Sequence, residues 1–210
     1  MPLTFDHVFE PATVADAPTL LLLHGTGGDE HDLIPLGKAL APGAALLSPR
    51  GKVSERGAAR FFARLAEGVF DPAEVAQRTH ELADFVAAAT QDYRLDVSRL
   101  IAVGFSNGAN IAATLLLLRP VVLAGAVLLR PMVVIDSPAA AGSLDGKRVL
   151  LASGDQDPIV PRDHPRRLAA HLRAGGADVT LHHEAAGHGL VSGDVTAAQT
   201  WFRASARRAA

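Results

Sequence analysis

One stretch constrains the chain more than any other. In RLIAVGFSNGANIAATLLLL, residues 99–118, an apolar run enters Gly104-Phe105-Ser106-Asn107-Gly108 and leaves as a helical segment. A serine on so tight a turn needs backbone angles that ordinary residues resist. Side chains two places before or after it would collide with neighbouring main chain, which glycine avoids. The turn lifts the Ser106 hydroxyl off the sheet and sets it at a helix N-terminus, where developing negative charge is favoured. The pattern predicts a nucleophile elbow. The alternative is a Gly-rich connection in which Ser106 merely caps a helix, so its partners decide.

A neutral serine needs a general base, and the base needs an acid to fix its tautomer and support its positive charge. The order expected after the elbow is Asp or Glu, then His. Asp157 lies in SGDQDPIVP after the apolar run 148–152, and His188 lies in AAGHGL after the run 178–184. Both are placed where loops leave successive strands. Asp155 competes for the acid role; directly after Gly154, its plainer task is to hold turn amides, and Pro158 favours Asp157 by stiffening the loop that follows. Among nine histidines, His182 and His183 are strand neighbours on opposite faces, whereas Gly187 and Gly189 leave His188 on a mobile loop tip. HHEAAGH does not match the helical H-E-x-x-H spacing of a zinc site, so neither a metal nor an organic cofactor is expected.

An oxyanion hole requires two donors aimed at the developing charge. The backbone N–H of Asn107 supplies one. The loop after an early strand supplies the other, and LLLLHGTGGDE puts the Thr26 amide there, with Gly27 as neighbour. The same stretch lacks the lysine and the glycine spacing of a phosphate-binding loop. His24 reads as a buried, hydrogen-bonded support. The segment 50–72, with its basic residues and Phe61-Phe62, shows no clear strand and is expected to be a loop or cap beside a pocket. Within it Arg50, Arg56 and Arg60 are candidates for an acidic or polar substrate group, against a plain role as surface charge.

Short apolar runs alternate with longer helical stretches, which predicts a mostly parallel sheet covered by helices in three layers, α/β/α, compact and without a large cap domain. Expected strands are 19–25, 44–49, 99–105, 123–129, 148–154 and 178–184. Expected helices are 30–41, 73–92, 106–119, 163–174 and 194–208. Asp71 and Pro72 suit the start of the second helix. In the last, Ala197, Ala198, Trp201, Phe202 and Ser205 share a sheet-facing stripe, and RASARRAA reads as a solvated end favoured by the helix dipole. At 210 residues one domain, 1–210, is expected.

A net charge of −2 gives no field that would draw in nucleic acid or an anionic membrane. No apolar run reaches the roughly 20 residues of a bilayer span, and the N-terminus lacks the form of a secretory signal. The absence of cysteine excludes disulfides and thiolate catalysis, so a cytoplasmic protein is expected. Apolar edges around the pocket would support a homodimer.

LLLLHGTGGDEHDLIPL, GFSNGANIA, SGDQDPIVP and GHGL together resemble the oxyanion loop, elbow, acid loop and histidine loop of the small α/β-hydrolases of the carboxylesterase, phospholipase and acyl-protein thioesterase group. SPRG, RFFAR and LLLLRPVVLAGAVLLRPM are similar to a bacterial phospholipase/carboxylesterase branch that includes hydrolases associated with hydroquinone catabolism. The resemblance implies a serine esterase acting on small carboxylic esters through an acyl-enzyme. Asn107 stands where many thioesterase relatives carry Gln. A thioesterase, a lysophospholipase-type acyl hydrolase, a lyase or peroxidase-type reaction, and a non-catalytic binding module are the other readings of the same scaffold.

Overall fold

A computed structural model describes the backbone of residues 3–209 and the side chains of residues 3–204. The predicted packing of Ser205 and the charges of Arg207 and Arg208 lie outside the described side chains, while Arg203, the first residue of RASARRAA, is exposed.

Continuous apolar runs become strands here because helices bury both faces of the sheet. β2 (Thr19–Leu23), β3 (Ala45–Pro49), β6 (Leu100–Phe105), β7 (Gly125–Leu129), β8 (Arg148–Gly154) and β9 (Asp178–Glu184) pair in parallel, in the order β3-β2-β6-β7-β8-β9. The period of two sorts side chains by face. Leu21 and Leu23 join the core beneath α2 (Pro72–Asp92), α3 (Asn107–Leu118) and α4 (His164–Ala174). Leu20 and Leu22 join the core beneath α1 (Ile34–Leu40) and α5 (Ser192–Ala209). Trp201 and Phe202 dock α5 on that second face, as the helical stripe predicts. The Ala73 N–H donates to Asp71 Oδ1 at 2.9 Å, and Pro72 opens α2.

Two expectations are corrected. The predicted helix 30–41 begins only at Ile34: the His31 N–H is captured by Asp29 Oδ1 at 2.8 Å, and Pro35, lacking an N–H, is at ease only in a first turn. Before β2, β1 (His7–Glu10) adds an antiparallel seventh strand against β3. It was not predicted because its half-buried residues give no apolar run; Phe9 instead stacks on Tyr93, ring centroids 4.0 Å apart.

β2 leads to β3 on one side, while the chain later fills the sheet from β6 outward on the other. The crevice beyond the carboxyl ends of β2 and β6 is therefore a topological switch point, where open α/β sheets bind ligands. No helix among the described residues is long and apolar enough to cross a membrane.

Candidate active site

Ser106 follows β6 and has φ 53°, ψ −114°, a conformation that L-residues avoid. The glycines around it are required by space. A Cβ on Gly108 would lie 1.9 Å from Leu23 O, and one on Gly104 would lie 2.4 Å from Gly108 O. The elbow thus exists because α3 leaves β6 in contact with the main chain of β2.

From this turn the Ser106 hydroxyl meets His188 Nε2 at 2.8 Å, and His188 Nδ1 meets Asp157 Oδ2 at 2.7 Å. The carboxylate neighbour assigns the imidazole hydrogen to Nδ1, leaving the Nε2 lone pair to accept from the serine. Asp157 Oδ1 accepts the Ile159 and Val160 N–H groups at 2.8 and 3.2 Å, so its side chain, 2% exposed, is fixed at both oxygens. Holding turn amides was the role considered for Asp155. Asp155 instead points to His183, 3.3 Å away, with its side chain 63% exposed. His182 is bound to Glu184 at 2.8 Å.

The Asn107 N–H opens α3 and has no acceptor within the helix. Among the described residues no backbone acceptor takes the Thr26 N–H, whereas the Gly27 N–H donates to Ala59 O at 2.9 Å. Beneath this loop His24 is 1% exposed. It accepts the Gly51 N–H at Nε2 (2.9 Å), so its Nδ1–H donates to Gly25 O (2.7 Å). Burial holds its pKa below the ordinary histidine value, consistent with a neutral support for the loop.

The segment 50–72 does contain strands: β4 (Val53–Glu55) and β5 (Ala58–Arg60) pair antiparallel around Arg56-Gly57, whose φ values of 53° and 87° suit a tight hairpin turn. The hairpin braces the Thr26 loop and the elbow. Besides the Ala59 bond, Arg60 Nη1 donates to Thr26 Oγ1 at 2.5 Å, and the Phe61 N–H donates to Asn107 Oδ1 at 2.8 Å. The three candidate arginines separate. Arg50 is ion-paired with Glu30 through Nε and Nη2, which holds the Glu30 carboxyl below its usual range. Arg56 sits exposed at the hairpin turn. Neither of these lines the cleft at Ser106. Arg60 does, with Arg64, but Arg60 is 3% exposed and also donates to Phe62 O at 3.1 Å, and burial pushes its pKa down.

The cleft has a volume of about 200 Å³. Ser106, His188, Asn107 and Thr26 share its wall with Phe105 and Met132. It suits a small substrate, since drug-sized ligands occupy roughly 300–1,000 Å³.

One residue at the site was not foreseen. Arg130, directly after β7, is buried and reaches the carbonyls of Gly187 and Gly189 on either side of His188. The available signal was a charge at the carboxyl end of a wholly apolar strand, at the same sheet edge as the other loops.

A family model described as phospholipase/carboxylesterase matches residues 6–205. The chain belongs to the phospholipase/carboxylesterase family. It is 42% identical over 197 residues to MhqD of Bacillus subtilis (strain 168), a protein named as a hydrolase, covering 94% of this chain and 97% of that one. The crystal structure of the Bacillus cereus carboxylesterase superposes with a TM-score of 0.92 at 44% identity, covering 96% of this chain and 94% of that one. YahD, solved with malic acid, gives a TM-score of 0.90 at 32% identity, covering 96% and 99% of the two chains. This phospholipase/carboxylesterase member therefore has the α/β-hydrolase fold, and its family is one of hydrolases.

Proposed function

We propose that the chain, folding as one α/β-hydrolase domain over residues 1–210, is a serine carboxylesterase for small esters. The observation that carries this reading is the continuous chain from Ser106 through His188 to Asp157, at 2.8 and 2.7 Å, beside the Thr26 and Asn107 N–H groups, which have no backbone acceptor among the described residues. His188 Nε2 takes the Ser106 proton as the oxygen attacks the ester carbonyl. Asp157 stabilises the imidazolium that forms, and the Thr26 and Asn107 N–H groups receive the charge on the carbonyl oxygen. The protonated His188 then releases the alcohol, and water activated by the same nitrogen attacks the acyl group on Ser106 and regenerates the serine. A fluorophosphonate should modify Ser106 stoichiometrically, and a short p-nitrophenyl ester should be turned over. A protein that takes no label and turns over no ester or thioester would overturn the proposal and favour a binding module.

Malic acid in YahD, together with Arg60 and Arg64 on this cleft, raises a second reading, a substrate that carries a carboxylate, but Arg64 Nε already donates to Glu55 Oε1 at 2.8 Å. Arg60 likewise has Nε and Nη1 engaged and braces Thr26. We expect Arg60→Met to lower kcat roughly tenfold on neutral and anionic esters alike, since it loosens one oxyanion donor without removing it. Paired kinetics on two such esters check this. A rise in KM confined to the anionic ester would instead assign Arg60 to substrate recognition.

A further inference from the structure

We propose that Arg130 is the positioning residue that holds His188 in register with Ser106, with Asp194 as its anchor; this rests on the Ser106-His188 reading above. Four of the guanidinium's hydrogen bonds support it. Nε donates to Gly187 O at 3.0 Å and Nη2 to Gly189 O at 3.1 Å, so the carbonyls on both sides of His188 are tied to one rigid plane. Nη1 and Nη2 each donate to Asp194 at 2.8 Å, a bidentate pair whose side chains are 0% and 2% exposed. The two glycines that flank His188 therefore do not leave it on a free loop tip.

The pair also joins the elements that must keep register. The Ser106 N–H donates to Leu129 O at 2.9 Å, so the nucleophile's backbone and the histidine loop are fastened to consecutive residues, Leu129 and Arg130. At the other end Asp194 Oδ2 also accepts the Val191 N–H at 2.9 Å, closing the first turn of α5. Nucleophile, base loop and helix thus share a single fixed point.

Backbone conformation gives a separate argument. Arg130 has φ 56°, where glycine would be at ease and arginine is strained. A residue needed only to make the turn could be glycine, so the position is held for its side chain.

Arg130→Lys keeps a cation for Asp194 but cannot present the planar fork that reaches both carbonyls. It should lower kcat on a short p-nitrophenyl ester about tenfold or more, with KM within about twofold and little change in Tm. The double variant Arg130→Met/Asp194→Leu removes both buried charges, so no unpaired charge is left. It should fold, while kcat and the rate of fluorophosphonate labelling at Ser106 fall together by about a hundredfold. A purely structural role predicts the opposite, full kcat once the fold is kept. If Arg130→Lys, or a folded double variant, holds kcat within about twofold of the parent, the positioning role is wrong. If the double variant does not fold, the lysine variant decides alone. Absence of labelling in the unmodified protein would overturn the serine reading itself, a different outcome from normal labelling that Arg130 does not affect.

Discussion

Ser106→Ala should lower kcat on a short p-nitrophenyl ester by a factor on the order of 10⁶, because in the proposed reaction Ser106 Oγ is the atom that bonds to the acyl group. KM should change little, since the cleft wall and the two backbone donors remain. Circular dichroism and thermal melting should find the fold intact. Strain adds a second and sharper expectation. At φ 53°, ψ −114° both serine and alanine are held in a region that only glycine occupies freely, at a cost of about 1–3 kcal/mol. Ser106→Gly relieves that strain and loses roughly 0.5–1 kcal/mol through the freer unfolded chain. The glycine variant should therefore be inactive and more stable than the alanine variant by about 1 kcal/mol. An alanine variant that retains ester turnover would remove Ser106 from the chemistry. A glycine variant no more stable than alanine would show the elbow to be relaxed.

The parallel core was legible because strands buried on both faces must be apolar along their buried length: β6 and β7 are so throughout, β2 from Leu20 to Leu23 and β8 from Val149 to Ala152. The proposed triad was legible for a related reason: Ser106, Asp157 and His188 each follow a predicted strand, and parallel strands deliver all their carboxyl-terminal loops to one edge. What stayed hidden depends on distant partners. The β4–β5 hairpin has three residues per strand, a charged sequence and Arg-Gly at its turn, so its pairing shows only against the Thr26 loop it braces. Arg50 offered a guanidinium to a substrate until Glu30, 20 residues earlier, was seen to occupy it. Arg130 and Asp194 are 64 residues apart, and nothing local to either marks a buried pair. Burial of a charge is a property of the partner, and a linear reading has no access to it.

Gly108→Ala should be the most damaging single-methyl change in the chain. The added carbon would sit 1.9 Å from Leu23 O, 2.4 Å from Leu23 C and 2.6 Å from His24 O. All three are main-chain atoms of β2 and its loop, braced by the ladder and by His24, so no side-chain rotation clears them. α3 must move away from β2, at a cost of about 3 kcal/mol or more. Asn107 and Ser106 move with it, and a shift of about 1 Å at the reacting atoms costs around a hundredfold in rate. Gly189→Ala is the contrast, because nothing lies within 4 Å of the added carbon and its φ is not in the left-handed region. Its effect on stability should stay within about 0.5–1 kcal/mol. Denaturant unfolding of the two variants, read beside kcat, separates crowding from a general intolerance of alanine at glycine sites. A Gly108→Ala protein as stable and active as its parent would mean that α3 is not pressed against β2, and the elbow would then owe its geometry to something other than that contact.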